Sequence, residues 1–156
     1  MGLTQNRTID GDLIALAIQG EFDVIVHGCN CFCTMSAGIA HAIQLQFPEA
    51  YAADLLTTKG DRNKLGYFSS ASVIENDHPI TIVNGYTQFQ YSGTPPLVDY
   101  SAVQQLFKRI KKEFAGKRIA YPKIGAGLAG GDWEKIHNII NQELDGEHHT
   151  LVNFVH

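Results

Sequence analysis

Residues 23–30 read Asp23-Val24-Ile25-Val26-His27-Gly28-Cys29-Asn30. The run Asp23–His27 is compact and β-branched, the composition of a strand covered on both faces. Helical patterns bracket it. Upstream, Asp12–Gln19 is a short amphipathic helix with Gly20 beyond its end. Downstream, Ile39, Ile43 and Phe47 recur at helical spacing, and Pro48 breaks or restarts that helix. Further out, Leu3–Ile9 alternates like an opening strand, and Tyr67–Ile74 and Ile80–Asn84 read as two more. Tyr100, Val103, Phe107, Ile110 and Phe114 form a helical stripe, with Lys108, Arg109, Lys111 and Lys112 mostly opposite it. Gly116 ends that helix and Arg118–Tyr121 starts another strand. Trp133, Ile136, Ile140 and Leu144 mark a last helix, and Thr150–Val155 a last strand. Strands alternating with helices predict an α/β fold with a mostly parallel sheet covered on both faces.

The chain has 156 residues, the length of one domain, so residues 1–156 are expected to form a single unit. A domain of that size buries roughly two-thirds of its unfolded surface and needs no staple. With 44% hydrophobic and 18% charged residues, it has the composition of a soluble globular protein. The net charge of −4 argues against general binding to nucleic acid or an anionic membrane. No apolar run approaches the roughly 20 residues of a membrane span, and Met1–Asp10 is too polar for a signal peptide. Cys29, Cys31 and Cys33 are an odd cluster, unlike a secreted disulfide framework. A reduced, cytoplasmic protein is expected.

In parallel sheets, ligands bind at the carboxyl ends of the strands. The loops leaving strands 23–27 and 118–122 therefore carry the functional reading. The second is Ile124-Gly125-Ala126-Gly127-Leu128-Ala129-Gly130-Gly131-Asp132-Trp133. Its glycines leave backbone N–H groups bare before a helix, which suits a phosphate cradle or, more plainly, a tight turn. Gly125, Gly127 and Gly130 match G-x-G-x-x-G, but the final strand supplies no acidic residue for a dinucleotide ribose, and a P-loop lysine is missing. The first loop places His27 and Asn30 just past a buried strand, and Ser36-Ala37-Gly38 opens a helix as a second anion-accepting N-terminus. Two such loops on neighbouring strands can hold the two phosphates of one diphosphate.

The segment Val24–Cys31, followed by Ser36-Ala37-Gly38-Ile39-Ala40 and Phe47-Pro48, resembles the ADP-ribose-binding macrodomain family. Gly11-Asp12-Leu13, Lys64-Leu65-Gly66 and Pro122–Leu128 with Trp133 fall in matching order. The likeness runs to the ADP-ribose-1″-phosphate phosphatase and terminal ADP-ribose hydrolase branch, and most of all to compact bacteriophage macrodomains. It implies a three-layer α/β/α sandwich with a six-stranded sheet, ADP-ribose across its crest, and the host cytoplasm as the compartment of a phage-encoded chain. By motif position, Asp12, with Leu13 beside it, would accept from the adenine amino group. Asn30 would hold the distal ribose. Ser36, Ala37, Gly38, Ile39 and Ala40, together with Gly125, Ala126, Gly127, Leu128, Ala129 and Gly130, would wrap the diphosphate and ribose. His27 matches a histidine implicated in the phosphatase branch, and imidazole titrates where a general acid or base should. The chain departs from the family too. The lysine–aspartate dyad of glutamate-specific hydrolases is replaced by Asn84-Gly85-Tyr86 and Ala129, and Asn153 stands where relatives often carry a tyrosine near adenine.

Each residue also has a plainer reading. Asp12 and Asp132 are natural N-caps, His27 can be a satisfied core histidine, and Trp133 is expected in the core. The spacing C-x-C-x-C does not match a structural zinc knuckle, so no metal and no cofactor are expected. His148, His149 and His156 read as a solvated turn and terminus. The resulting expectation is a metal-independent hydrolase that removes the 1″-phosphate of ADP-ribose 1″-phosphate, with His27 and Asn30 catalytic. The alternatives are release of ADP-ribose from protein or nucleic-acid adducts, or a catalytically silent ADP-ribose binder. No membrane partner is expected.

Overall fold

The computed structural model describes residues 6–155. The Leu3–Gln5 part of the expected opening strand and His156 lie outside them. Six strands form one sheet: β1 (Asn6–Gly11), β2 (Val24–Cys29), β3 (Phe68–Glu75), β4 (His78–Tyr86), β5 (Arg118–Tyr121) and β6 (His148–Phe154). Five α-helices connect them: α1 (Leu13–Ile18), α2 (Gly38–Gln46), α3 (Pro48–Leu55), α4 (Tyr100–Glu113) and α5 (Trp133–Glu143). The sheet order is β1-β6-β5-β2-β4-β3, parallel throughout except for the β3–β4 hairpin. Asn76 and Asp77 turn that hairpin with φ of 52° and 61°, a tight turn these residue types tolerate.

The central strand behaves as its composition requires. On one face of the sheet, Val24 and Val26 pack with Ile119 and Tyr121 beneath Val103, Leu106 and Phe107 of α4 and Ile136 and Ile140 of α5. On the other, Ile25 packs with Ile80, Ile82 and Ala120 beneath Leu13 and Ala17 of α1 and Ile43 of α2. Apolar faces on both sides of β2 make the three layers.

Several boundaries differ from the sequence pattern. Proline restarts rather than ends the second helical stretch, so α2 and α3 are separate helices that meet at Phe47. Strand β4 runs on to Tyr86, because Asn84 and Tyr86 are buried through hydrogen bonds rather than apolar character. The expected solvation of His148 and His149 holds only for His148. Both lie in β6, whose continuously buried stretch begins at His149, with Nδ1 2.7 Å from the Tyr121 hydroxyl. Trp133 is only partly buried, packed against the core beneath α4 and α5. Among the described residues, no helix is long and apolar enough to cross a membrane.

Strands β2 and β5 are adjacent at the centre of the sheet, but their following helices lie in opposite layers. That divergence opens a crevice at their carboxyl ends.

Candidate ligand-binding cleft

The crevice is a cleft of about 360 Å³. The β2–α2 segment contributes Gly28, Cys29, Asn30, Thr34 and residues 36–40; the β5–α5 loop contributes residues 122–125 and 127–129. A third wall comes from Gln88, Tyr91 and Leu97, in the β4–α4 connection. Nothing in the sequence pattern marked these three, because their stretch shows neither helical nor strand periodicity.

Among the described residues, two rows of backbone amides face no protein acceptor. Helices α1, α4 and α5 each begin at an aspartate whose carboxylate accepts from first-turn amides: Asp12 from Ala15, Asp99 from Ala102, Asp132 from Glu134 and Lys135. Helix α2 instead begins at Ala37, with no side-chain cap. Its first-turn amides, Gly38, Ile39 and Ala40, therefore lack intrahelical acceptors and sit on the cleft wall. In the opposite loop, tight turns consume some donors: Ala126 N bonds Lys123 O, Gly130 N bonds Gly127 O, and Gly131 N bonds Gly125 O at 2.7 Å. Among the described residues, the amides of Gly127, Leu128 and Ala129 take no such bond. Lys123 is the one charged side chain on the described wall. Without a carboxylate to repel it, a phosphate fits between the two rows.

Asn30 sits between these walls, 9% exposed. Its Oδ1 accepts from Phe32 N at 2.8 Å, and its Nδ2 donates to the Thr34 hydroxyl at 2.8 Å and carbonyl at 3.1 Å. These bonds fix the amide and leave Oδ1 a second lone pair for a ligand hydroxyl. The loop around it is anchored from below. Cys31 O accepts from Gly60 N at 2.7 Å and from the buried Lys64 ammonium at 3.1 Å, while Tyr51 donates its hydroxyl to Cys33 O.

The other expected site residues are placed differently. Asp12 is exposed, capping α1 at 3.1 Å, and Leu13 is buried in the core; neither lines the cleft. Ala126 and Gly130 complete the glycine-rich loop without lining it. Asp132 caps α5 outside it. His27 is fully buried and absent from the wall. Its Nε2 lies 2.7 Å from Asn84 Oδ1, while Asn84 Nδ2 donates to Ala50 O and Ser69 Oγ. Since Asn84 presents its oxygen, the His27 proton is on Nε2. Burial lowers the His27 pKa to about 4, partly opposed by that bond, so the ring is neutral at pH 7. The network continues from Ser69 to the Tyr86 hydroxyl and on to Asp54 Oδ1, each step 2.7 Å. The cysteines point to separate partners: Cys29 toward His27, Cys31 toward Gln88 O, Cys33 toward Asp54 O.

An uncharacterised 17.5 kDa protein of Enterobacteria phage T4 is 37% identical over 140 residues, covering 86% of this chain and 87% of its own. The macrodomain of Thermus aquaticus DarG superimposes with a TM-score of 0.74 at 21% identity, covering 96% of this chain and 98% of that one. This chain belongs to the macrodomain family. An ADP-ribose 1″-phosphate phosphatase of Candida albicans is a more distant relative, 27% identical over 92% of this chain and 96% of its own. No protein-family model matches the sequence. Within the macrodomain frame, the amide-lined crevice occupies the crest between β2 and β5. The dyad positions hold a buried Asn84, committed to His27 and Ala50, and Ala129, whose carbonyl accepts from Leu97 N.

Proposed function

We propose that this macrodomain is a hydrolase of ADP-ribose derivatives and that it removes the 1″-phosphate of ADP-ribose 1″-phosphate. The observation that carries the reading is the pairing of an uncapped α2 N-terminus with the free amides of residues 127–129 across one cleft. The C. albicans relative, by its name, is such a phosphatase.

In this reading the diphosphate spans the two amide rows and Asn30 Oδ1 accepts from a distal ribose hydroxyl. A water bonds to the 1″-phosphorus as the P–O1″ bond breaks, giving ADP-ribose and inorganic phosphate. The amides offset charge developing on the phosphoryl oxygens. The described wall offers neither imidazole nor carboxylate, so one proton of the water passes by way of a phosphate oxygen of the substrate to the departing O1″, and the other stays on the released phosphate. His27 is a positioning residue: through Asn84 it braces β2, which carries Asn30 at its end. Asp12 retains the adenine role in this scheme, beyond the cleft's described wall.

The test is product analysis with ADP-ribose 1″-phosphate beside calorimetry with ADP-ribose. Micromolar-class binding with phosphate release is expected, and a kcat profile without a limb near pH 6.5. Binding without turnover of any derivative would leave a silent binder. A limb near pH 6.5 that vanishes in His27→Ala, with kcat down roughly 10²–10⁴-fold, would return His27 to the proton-transfer role.

A further inference from the structure

The two edges of the sheet are built differently. Strand β1 carries Arg7 and Asp10, charges of the kind that keep an open edge from pairing with another chain. Strand β3, at the other edge, reads Phe68-Ser69-Ser70-Ala71-Ser72-Val73-Ile74-Glu75. Its 8 residues include no lysine, arginine or proline, and the one charge stands at the end. The hairpin fixes which backbone groups of β3 are used. A two-residue turn makes Glu75 and His78 a hydrogen-bonded pair, and at the far end Tyr86 N donates to Tyr67 O. The odd-numbered residues of β3 therefore direct their N–H and C=O groups to β4. Phe68, Ser70, Ser72 and Ile74 point theirs outward, and among the described residues no other strand pairs with them.

That outward row complements its own reversal. A second β3, laid antiparallel about a two-fold axis through Ala71, sets Phe68 opposite Ile74 and Ser70 opposite Ser72 on both sides of the axis. Every outward residue then meets an outward residue, while a one-residue slip would set outward groups against committed ones. The side chains agree with this register. A single chain leaves Ile74 74% exposed, and its partner across the axis is Phe68, whose ring packs on the core with Phe114 at 5.8 Å. An aromatic opposite a β-branched side chain is a stabilising cross-strand pair. Ala71 meets itself on the axis, where a non-hydrogen-bonded pair brings the chains closest and a methyl fits. Glu75 falls opposite Tyr67, over whose ring the Arg109 guanidinium lies at 3.7 Å. Among the described residues of one chain, neither Glu75 nor Arg109 forms an ion pair. Across the axis each acidic end meets a basic one.

We propose that the β3 edge is an interface between two copies of this chain, paired antiparallel about Ala71 into one sheet with six strands from each copy. The occupant is a second copy rather than a foreign strand because the apolar and charged positions of this edge match themselves when reversed. Strand β4 lies between β3 and β2, and no residue of β3 lines the cleft. The pairing therefore stands apart from any reading of the ligand.

Sedimentation velocity over a concentration series is the experiment, with circular dichroism to confirm that each variant is folded. Wild type is expected to form a dimer that dissociates on dilution, and more readily at high salt. Ser72→Pro removes an outward N–H and no hairpin bond, so it should raise the dissociation constant about tenfold. Glu75→Arg should weaken the dimer, and Glu75→Arg combined with Arg109→Glu should restore it to within about threefold, a rescue that only a direct pairing gives. Ala71→Cys should cross-link two copies through a disulfide on oxidation, whereas Ser70→Cys should not, since residue 71 alone faces its own copy. The cysteine pair decides the matter even if Ser72→Pro fails to fold. A monomer at every concentration overturns the proposal, whether the edge stays bare or takes a strand of another protein. So does a dimer indifferent to Glu75→Arg and Ser72→Pro, or one that Ser70→Cys cross-links in preference to Ala71→Cys.

Discussion

The two loops that face each other across the cleft are made rigid by opposite means. The Asn30–Gly38 loop is held by side chains: the Asn30 amide, the Lys64 ammonium on Cys31 O and the Tyr51 hydroxyl on Cys33 O. The Gly125–Gly131 loop is held by backbone turns, and its glycines are there because nothing larger fits. A Cβ on Gly131 would lie 2.6 Å from Gly125 O and 2.5 Å from Val98, and Gly125 combines a φ of 74° with a Cβ position 2.7 Å from Val98. Gly127 breaks that pattern. A Cβ there meets nothing within 4 Å, and its φ is not in the left-handed region. The fold itself does not need a glycine at 127; in the proposed reading the phosphate does. Within one motif, some glycines build the loop and one leaves open space, where the proposed reading puts the phosphate.

The sharpest way to break this contrast is inside the glycine loop. Gly131→Val is expected to destabilise the fold by about 3 kcal/mol, because backbone and core both refuse the added carbons, and chemical denaturation measures it. Gly127→Val is expected to leave the unfolding curve in place while ADP-ribose affinity falls about a hundredfold, roughly 2.7 kcal/mol. Calorimetry on both variants decides the matter: retained binding in folded Gly127→Val would show that the open space at 127 is not where phosphate sits. In the opposite loop, Asn30→Ala removes a polar brace and, in the proposed reading, the ribose contact together. It should cost about 1–2 kcal/mol in stability and a comparable amount in affinity, so it cannot separate the two as position 127 does.

Smaller effects sharpen the comparison from outside the loops. His27 is neutral in the fold, its pKa lowered to about 4 by burial against an ordinary value of 6.5. A depressed histidine pKa means the unfolded chain binds more protons below pH 6.5. Stability is thus fully present above that pH and falls as pH drops toward 4, by up to about 1.4 kcal/mol per unit. His149, shifted the same way, adds to the slope, and Asp54, whose carboxyl is raised by burial, partly opposes it. Denaturation at pH 7, 5.5 and 4.5 reads the slope, and His27→Gln should shallow it. Prolonged treatment with a strong chelator is expected to change neither turnover nor melting temperature; stoichiometric zinc in untreated protein would contradict this.

Apolar periodicity made the layers legible: β2 with its two apolar faces, and the stripes of α4 and α5. Glycine spacing marks the amide row of the β5–α5 loop, and the small run Ser36-Ala37-Gly38 marks that of α2. What periodicity could not show is polarity that has been satisfied inside. His27, Asn84, Tyr86, Asp54 and Lys64 carry polar groups whose partners no local pattern reveals, and each is buried because a partner from a distant segment meets it. The sequence therefore leaves the histidine beside a binding loop open to both a catalytic and a core reading, and its burial becomes evident only once Asn84, 57 residues away, is placed against it. The third wall escaped for the opposite reason. Residues 88–98 follow no period, being shaped by single contacts such as the Gln88–Val98 bridge.

That third wall is not independent of the second. Leu97 N donates to Ala129 O at 2.7 Å, and Pro95 packs where a side chain on Gly130 would go. If the glycine loop holds a diphosphate as proposed, ordering it there orders the connection that carries Tyr91, and ordering Tyr91 does the same in return. Such reciprocity is a coupling free energy between two ends of one ligand. ADP-ribose bearing a stacked group should then bind more tightly than the sum of its halves, and each half, supplied separately, should raise the affinity for the other by the same factor.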